Sequence, residues 1–347
     1  MSVRDTPLSI AIFGAGSIGL YCGGQLASAG CDVSFIGRVS MATRVKDGFR
    51  LTHFDRDPIV VSAAQFNFYE GPDADALAMA DIVIICVKSQ DSAEAAASIA
   101  PHINDDTLVI SFQNGLRNKP TLDNGLAGQG IVLGAVVPFN VTRTEAATWH
   151  CGTEGGVTIQ AHDDRRLTEL KEAFARAGHS VTMSDDITAV QWGKLLVNLN
   201  NGLNALSGGT LLSGLMQRPY RLVLAAMIAE AIDILNKAGI TPAAFGKASP
   251  QKMLKILPLP NWIYAIIMNR IVKIDPSARS SMLDDLDSGR PCEIEYLQGE
   301  IVALARSVGL SAPINARVQS LVEEAFAAGR SPKMSGTEIY SAVMDSA

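Results

Sequence analysis

A glycine-rich turn between an apolar strand and a helix constrains the fold of this chain more than any other feature. The turn is 14-GAGSIG-19, preceded by the β-rich run 8-LSIAIFG-14 and followed by the helical run 17-SIGLYCGGQLASAG-30. In a G-x-G-x-x-G turn the first glycine permits the tight bend, the second lets backbone approach a pyrophosphate, and the third lets helix and strand pack closely. The helix N-terminus adds N–H groups and partial positive charge. An ordinary strand–helix turn is the alternative, but this context favours dinucleotide binding by Gly14, Ala15, Gly16, Ser17, Ile18 and Gly19.

The end of the second strand, 32-DVSFIG-37, indicates which dinucleotide is bound. Sites for NAD usually place Asp or Glu there, where it bonds the ribose 2′-hydroxyl. This chain has Arg38 instead, 19 residues after Gly19, with Arg44 able to assist from the next turn. A guanidinium suits a 2′-phosphate through paired, charge-assisted hydrogen bonds. We therefore expect NADPH as the cofactor, the alternative being that Arg38 is a surface arginine.

Strand-like and helical runs alternate through the first half of the chain, which predicts a parallel sheet with helices on both faces. Further strands are expected at 81–87, 107–112 and 130–137, helices at 91–103 and 165–178, and shorter strands and turns over 144–161. Two polar residues follow strands on the side where ligands of such sheets bind. They are Lys88 in 86-CVKSQ-90 and Asn114 in 111-SFQNG-115, and each can equally be part of an ordinary loop.

From about residue 185 the pattern becomes almost purely helical. We therefore predict an α/β Rossmann-like dinucleotide-binding domain over 1–184 and an all-α domain over 185–347. Gly239 and Gly309 stand where C-terminal helix caps are expected. The run 253–272 is interpreted as two short buried helices around a Pro-rich turn, and the residues from Pro332 onward as a loosely held tail. The long helices are expected at 186–207, 219–238, 296–309 and 313–328.

Composition excludes several other classes of protein. The chain has 347 residues, 48% hydrophobic and 18% charged, which suits folded domains and argues against disorder. Its net charge of -6 does not favour nucleic-acid binding. Five scattered cysteines and five histidines show no metal-ligand spacing, so we expect reduced thiols, no metal and a cytoplasmic protein. Neither a signal peptide nor an apolar run long enough to span a membrane is evident.

The run 190-VQWGKLLVNLNNGLNALSGGT-210 puts a lysine and four asparagines into an apolar helix. Lys194, Asn198 and Asn201 have the spacing i, i+4, i+7 and therefore share one stripe. One ammonium and two amides on a stripe are typical of a polar pocket wall. Considered alone, the stripe is also compatible with an exposed helix face or with asparagines that cap a break in the helix.

With these residues in view, the chain resembles the ketopantoate reductase (2-dehydropantoate 2-reductase) family over nearly its whole length. The resemblance depends on GAGSIG, CVKSQ and SFQNG in the first half and on two more specific segments in the second. Those segments are 192-WGKLLVNLNN-201 and 280-SSMLDDLDSGRPCEIEYLQGEIV-302. A generic dehydrogenase would share only the glycines.

The resemblance implies NADPH-dependent reduction of 2-dehydropantoate to pantoate, in pantothenate and coenzyme A biosynthesis. It implies that Lys194 is the catalytic lysine, Glu293 the site glutamate, Asn198 the first pocket asparagine and Ser281 the residue that holds the substrate carboxylate. Lys88 and Asn114 then match cofactor-contacting residues. The expected partners are a small 2-ketoacid and, as one option, a second copy of the chain, without nucleic acid or membrane.

The chain also departs from the family pattern. The second asparagine expected four residues after Asn198 is replaced by Gly202, and Asn201 comes one residue earlier. The Pro-containing stretch around 246–275 is not universal in the family. Two other functions therefore stay open: an NADP-linked reductase of another branched 2-ketoacid or an imine, and a non-catalytic dinucleotide sensor. Lys194 and Glu293 argue against the sensor.

Overall fold

A computed structural model describes residues 6–244, 249–271 and 275–345 of the chain. It divides into two compact units, Met1–Ile187 and Thr188–Ala347. The α/β first part followed by a helical second part confirms the predicted fold class. In the described residues no helix is both long and apolar enough to cross a membrane.

The first unit is built around a twisted, mainly parallel sheet. Within the described residues eight strands form this sheet in the order β12-β11-β8-β7-β6-β1-β2-β5. From β8 to β5 every neighbouring pair is parallel, whereas β11 pairs antiparallel with β8. Its strands are β1 Ser9–Phe13, β2 Asp32–Gly37, β5 Phe66–Glu70, β6 Ile82–Ile85, β7 Leu108–Ser111, β8 Ile131–Val136, β11 Val157–Gln160 and β12 Val181–Ser184.

Alternation of side chains explains why helices cover both faces of this sheet. Ile10 and Ile12 of β1 belong to one apolar cluster, while Ala11 between them belongs to another. The strands β6 and β7 are buried at every position, as expected for strands covered on both sides. The helices of this unit are α1 Ser17–Ser28, α2 Val39–Val45, α3 Ala74–Ala78, α4 Ser92–Ile99, α5 Asn118–Leu126 and α6 Arg165–Arg176.

A second, smaller sheet covers the outer side of α1. It comprises β3 Phe49–His53, β4 Arg56–Val61, β9 Val141–Glu145 and β10 Thr148–Cys151, in the order β4-β3-β10-β9. The contact is close: a Cβ added at Gly24 of α1 would lie 2.7 Å from the ring of Phe49. Sequence reasoning expected only short strands and turns over 144–161, because the β3–β10 pairing joins segments about a hundred residues apart.

The second unit is helical throughout its described residues. The expected helix 186–207 divides at Leu199, and the helix expected at 296–309 is preceded by a 3₁₀ turn at Ile294–Tyr296. Gly239 and Gly309 have φ of 71° and 73°, which confirms both predicted helix ends. The helices are α7 Ile187–Asn198, α8 Asn200–Ser207, α9 Leu211–Leu215, α10 Arg218–Lys237, α11 Pro250–Ile256, α12 Asn261–Ile271, α13 Ser281–Asp287, α14 Gln298–Ser307, α15 Pro313–Ala327 and α16 Gly336–Met344.

Two predictions for this unit were wrong. The residues after Pro332 are not loosely held: α16 packs against α10, and its Ile339 and Val343 are fully buried. The helices α11 and α12 do flank a Pro-rich turn, but they are not buried, since Trp262 is 69% and Ile266 50% exposed. The apolar composition of these helices predicted that they belong to the hydrophobic core, whereas their position leaves some of their apolar side chains at the surface.

A fully buried arginine holds the turn between α11 and α12. The guanidinium of Arg221 donates to the carbonyls of Leu215, Leu257 and Leu259 at 2.6–2.9 Å. Its Cζ also lies 4.0 Å from the ring centroid of Tyr264. The three carbonyls and the ring offset the loss of hydration of this charge and tie the turn to α10.

Candidate functional site

The glycine turn is wedged between the ends of β2 and β6. Gly14 has φ of 106°, and a Cβ there would lie 2.7 Å from the backbone of Cys86 and Val87. The Gly14 N–H donates to the Ile36 carbonyl at 3.0 Å. At Gly19 a Cβ would come 2.2 Å from the Gly14 carbonyl oxygen. Only glycine fits at position 14 or position 19, as the G-x-G-x-x-G pattern predicts.

The outer side of the same turn is open. A Cβ built on Gly16 meets no atom within 4 Å. Among the described residues no side chain caps the N-terminus of α1, which begins at Ser17. The N–H groups at the start of this twelve-residue helix and its dipole therefore remain available to an anion. The turn lies where the strand order reverses between β1 and β6, and its geometry fits the pyrophosphate of a dinucleotide.

The two arginines near the end of β2 have different surroundings. Arg38 directly follows β2, stands at the N-cap position of α2 and is exposed. Arg44, the suggested assistant, donates from Nη1 to the Ala146 carbonyl of the small sheet at 3.1 Å. Arg38 is therefore accessible to a ligand, whereas Arg44 has a structural partner.

Lys88 and Asn114 follow the neighbouring parallel strands β6 and β7, so both stand at the same edge of the sheet as the glycine turn. Lys88 is half-buried, and Asn114 is exposed. A buried polar network joins the two loops that carry them. The network consists of Ser89, Ser92, Ser111, Gln113 and Asn118. Sequence reasoning missed these residues, although small polar residues clustered directly after two buried strands were a signal.

In the helical unit the four asparagines separate into two pairs. The Asn200 side-chain oxygen accepts from the Tyr220 hydroxyl at 2.7 Å, and Asn204, fully buried, bonds the backbone of Gly209 and Ser280 at 3.0 Å each. By contrast, the amides of Asn198 and Asn201 have no hydrogen-bond partner among the described residues. The first pair is structural, and the second pair is the one that shares the stripe with Lys194.

Lys194 lies in an environment that disfavours its charge. Burial lowers the pKa of its ammonium from 10.5 to about 8. Part of the side chain still reaches solvent, so the group is half-buried by area even though its charged end is strongly desolvated. A lysine with a pKa near 8 gives up a proton near neutral pH far more readily than an ordinary one.

The segments that carry Ser281 and Glu293 are tied to the α7–α8 region. Ser280, the N-cap residue of α13, donates its N–H to the Asn204 side chain at 3.0 Å and its hydroxyl to the Asn201 carbonyl at 3.4 Å. Ser281, the next residue, is half-buried at the first position of α13. The structure thus brings Asn201 close to the N-terminus of α13, where Ser281 is the first residue.

On the other side, Gln298 at the start of α14 donates to the Leu199 carbonyl at 2.8 Å. A Cβ on Gly202 would lie 2.9 Å from Gln298 Nε2 and 3.2 Å from Ile294, the residue after half-buried Glu293. Position 202 is therefore closed by packing, and a side chain larger than glycine there would meet Gln298 and Ile294.

A glycine turn of this geometry, at the reversal point of a mainly parallel sheet, defines the class of protein as one that binds a dinucleotide. Residues 10–164 match the sequence family described as ketopantoate reductase PanE/ApbA, and residues 186–325 match the family of its C-terminal part. The chain belongs to the ketopantoate reductase family.

Individual relatives agree with this assignment. The chain is 26% identical over 326 residues to a 2-dehydropantoate 2-reductase of Halobacterium salinarum, covering 91% of this chain and 98% of that protein. It is 28% identical over 325 residues to the enzyme of the same name from Pyrococcus horikoshii, with 91% and 97% covered. A crystal structure of a PanE/ApbA family ketopantoate reductase from Ralstonia eutropha is similar with a TM-score of 0.75 and 27% identity, covering 92% and 99% of the two chains.

Proposed function

We propose that this protein reduces 2-dehydropantoate to pantoate with NADPH, the reductive step of pantothenate and coenzyme A biosynthesis. The observation that carries the proposal is the desolvated Lys194, with its pKa near 8, on one stripe with two amides that have no hydrogen-bond partner in the described part of the chain. A purely dinucleotide-binding sensor needs no such group. A reductase needs a proton donor beside the carbonyl that it reduces.

The proposed preference for NADPH rests on Arg38. It is exposed at the end of β2, at the place where NAD-dependent proteins usually carry an acid. The guanidinium can pair with two oxygens of a ribose 2′-phosphate. The open start of α1 and the side chains of Lys88 and Asn114 would hold the rest of the cofactor.

In the proposed reaction C2 of the ketoacid would accept the hydride that a nicotinamide cofactor supplies when it is bound. Negative charge then grows on the carbonyl oxygen, and Lys194 donates a proton from Nζ to that oxygen as general acid. Its low pKa makes this transfer efficient near neutral pH, because the donor is protonated below pH 8 and still acidic enough to release the proton. After turnover Lys194 regains a proton from solvent.

The other residues position the substrate. Ser281 would hold the carboxylate, and the amides of Asn198 and Asn201 would fix Lys194 and the substrate oxygens relative to each other. Glu293 would orient the lysine and accept a hydrogen bond from a substrate hydroxyl. Support for this grouping comes from the contacts that tie α13 and the 293–298 segment to the α7–α8 region.

A turnover assay tests the proposal. Purified protein is supplied with NADPH or NADH and with 2-dehydropantoate, other branched 2-ketoacids, or ketoacid–amine pairs that form imines, and cofactor absorbance is followed. We expect the highest kcat/KM with NADPH and 2-dehydropantoate. A higher kcat/KM with another ketoacid or an imine would identify a different reductase on the same scaffold. Tight NADPH binding without turnover of any substrate would point to a sensor.

A further inference from the structure

A set of buried and partly buried hydrogen bonds connects the loops after β6 and β7. The side chain of Gln113, only 8% exposed, uses both amide hydrogens and its oxygen. Nε2 donates to the Val87 carbonyl at 3.0 Å and to Ser92 Oγ at 2.8 Å, and it lies 3.5 Å from the Lys88 carbonyl. Oε1 accepts from Ser111 Oγ at 2.9 Å.

Asn118 completes the set from the start of α5. Its Nδ2 donates to the Asn114 carbonyl at 2.5 Å and to Ser89 Oγ at 3.2 Å, while Oδ1 accepts from Ser92 Oγ at 2.9 Å. Ser89 Oγ in turn donates to the Asn114 carbonyl at 3.0 Å. Every amide hydrogen of Gln113 and Asn118 is thus used, which fixes the orientation of both side chains.

The backbone carbonyls that this network holds belong to Lys88 and Asn114, the two proposed cofactor contacts, or to the residue before Lys88. The carbonyls of Val87 and Lys88 flank the Lys88 side chain, and the third carbonyl is that of Asn114. Part of this arrangement serves stability, because the carbonyls of Val87 and Asn114 would lose their hydrogen-bond partners in an apolar junction. A fully satisfied polar network also fixes one geometry of the groups that it touches.

We propose that Gln113 and Asn118 are positioning residues for the dinucleotide: they hold Lys88 and Asn114 in a fixed mutual geometry before the cofactor binds, without touching it themselves. This inference builds on the proposed function, since it takes Lys88 and Asn114 as cofactor contacts. Pre-organised loops bind a ligand more tightly because less conformational entropy is lost on binding.

The test is a double-mutant cycle on NADPH affinity, measured by cofactor fluorescence with Gln113→Met, Lys88→Ala and the double variant. Gln113→Met keeps the volume and removes the bonds to the loop. We expect roughly a tenfold rise in Kd, the effect of one or two lost hydrogen bonds. In the Lys88→Ala background the same change should alter Kd less than about twofold, because Gln113 acts through Lys88. Thr107→Val is the matched control: it removes a buried side-chain hydroxyl of the same unit, which accepts from the Asn104 N–H, but no hydrogen bond to either loop.

A second readout needs no cofactor. In the free protein, amide hydrogen exchange should quicken in segments 86–92 and 112–118 of Gln113→Met and stay near wild type in both segments of Thr107→Val. Equal effects of Gln113→Met with and without Lys88, or unchanged exchange in both segments, would overturn the inference. An unchanged Kd in Lys88→Ala would overturn it as well.

Failure of the proposed function is distinguishable from failure of the inference. If wild-type protein binds NADPH but turns over no ketoacid, the coupling between Gln113 and Lys88 is still measurable and decides the inference. Should Gln113→Met not fold, a cycle of Asn118→Leu with Asn114→Ala tests the other positioning residue, because Asn118 bonds the Asn114 carbonyl and would act through the Asn114 side chain. The same outcomes apply.

Discussion

Replacing Lys194 with methionine should make the protein more stable and nearly inactive. Methionine has about the length of the lysine stem and carries no charge to desolvate. Burial lowers the pKa of Lys194 from 10.5 to about 8, so the folded protein bears the cost of an ill-solvated ammonium whenever that group is protonated. The substitution removes this cost together with the proposed proton donor.

The size of the effect follows from linkage between proton binding and folding. A pKa lowered by about 2.5 corresponds to roughly 3 kcal/mol, at 1.36 kcal/mol for each unit. Because part of the side chain reaches solvent, we expect a gain of about 2–3 kcal/mol in the free energy of unfolding at pH 7. The unfolded chain keeps its proton up to about pH 10.5 and the folded chain only to about pH 8. Wild-type stability should therefore rise relative to the variant across this window, and the gain should vanish above it.

Urea unfolding of both proteins at pH 7, 8, 9 and 10 measures the difference between their free energies of unfolding. The titrations of other groups contribute equally to both proteins and cancel in this difference. In parallel, kcat of Lys194→Met should fall by about 10²–10⁴, with NADPH affinity unchanged. Lys194→Arg should restore little, since a guanidinium scarcely releases a proton. The wild-type kcat should decline as the pH rises through about 8.

The gain in stability and the loss of turnover are independent outcomes of the substitution. A variant that is less stable than wild type at pH 7, by an amount independent of pH, would show that the ammonium is not destabilised by burial. A variant that keeps turnover within a few-fold of wild type would exclude Lys194 as the general acid. Lys194, Asn198 and Asn201 would then be residues of an ordinary helix face.

Arg38→Ala should raise the Kd for NADPH roughly ten- to hundredfold, since a charge-assisted bond contributes about 1.5–3 kcal/mol; equal NADH and NADPH affinity in wild type would refute the assignment. Gly202→Asn should lower the free energy of unfolding by about 1–3 kcal/mol in urea, because its Cβ would lie 2.9 Å from Gln298 Nε2. Asn201→Ala should leave stability within about 0.5 kcal/mol but raise KM for the ketoacid, and a normal KM would remove Asn201 from the pocket. Burial lowers the pKa of His179 from 6.5 to about 4, so wild-type stability should fall by about 3 kcal/mol more than that of His179→Leu between pH 6.5 and 4; parallel pH curves would contradict this.

Local patterns in the sequence were sufficient to predict the strands and helices around the glycine turn. The strand 32–37 was predicted to the residue, and β1, β6, β7 and β8 lie within their expected runs. The requirement for glycine at positions 14 and 19 follows from backbone sterics within one turn, and neighbouring residues determine it. Helical periodicity likewise sufficed to place α10 and α15, because an amphipathic stripe is a property of the segment itself.

Features that depend on distant partners needed the tertiary structure. Four asparagines in one helical run look alike in sequence, yet Tyr220 and Ser280, twenty and more residues away, make Asn200 and Asn204 structural. Among the residues that the structure describes, the side-chain amides of Asn198 and Asn201 have no such partner. The β3–β10 pairing and the burial of α16 against α10 likewise arise from contacts remote in the chain. The lowered pKa of Lys194 has the same origin, because desolvation depends on what packs around a side chain, and sequence spacing does not encode that.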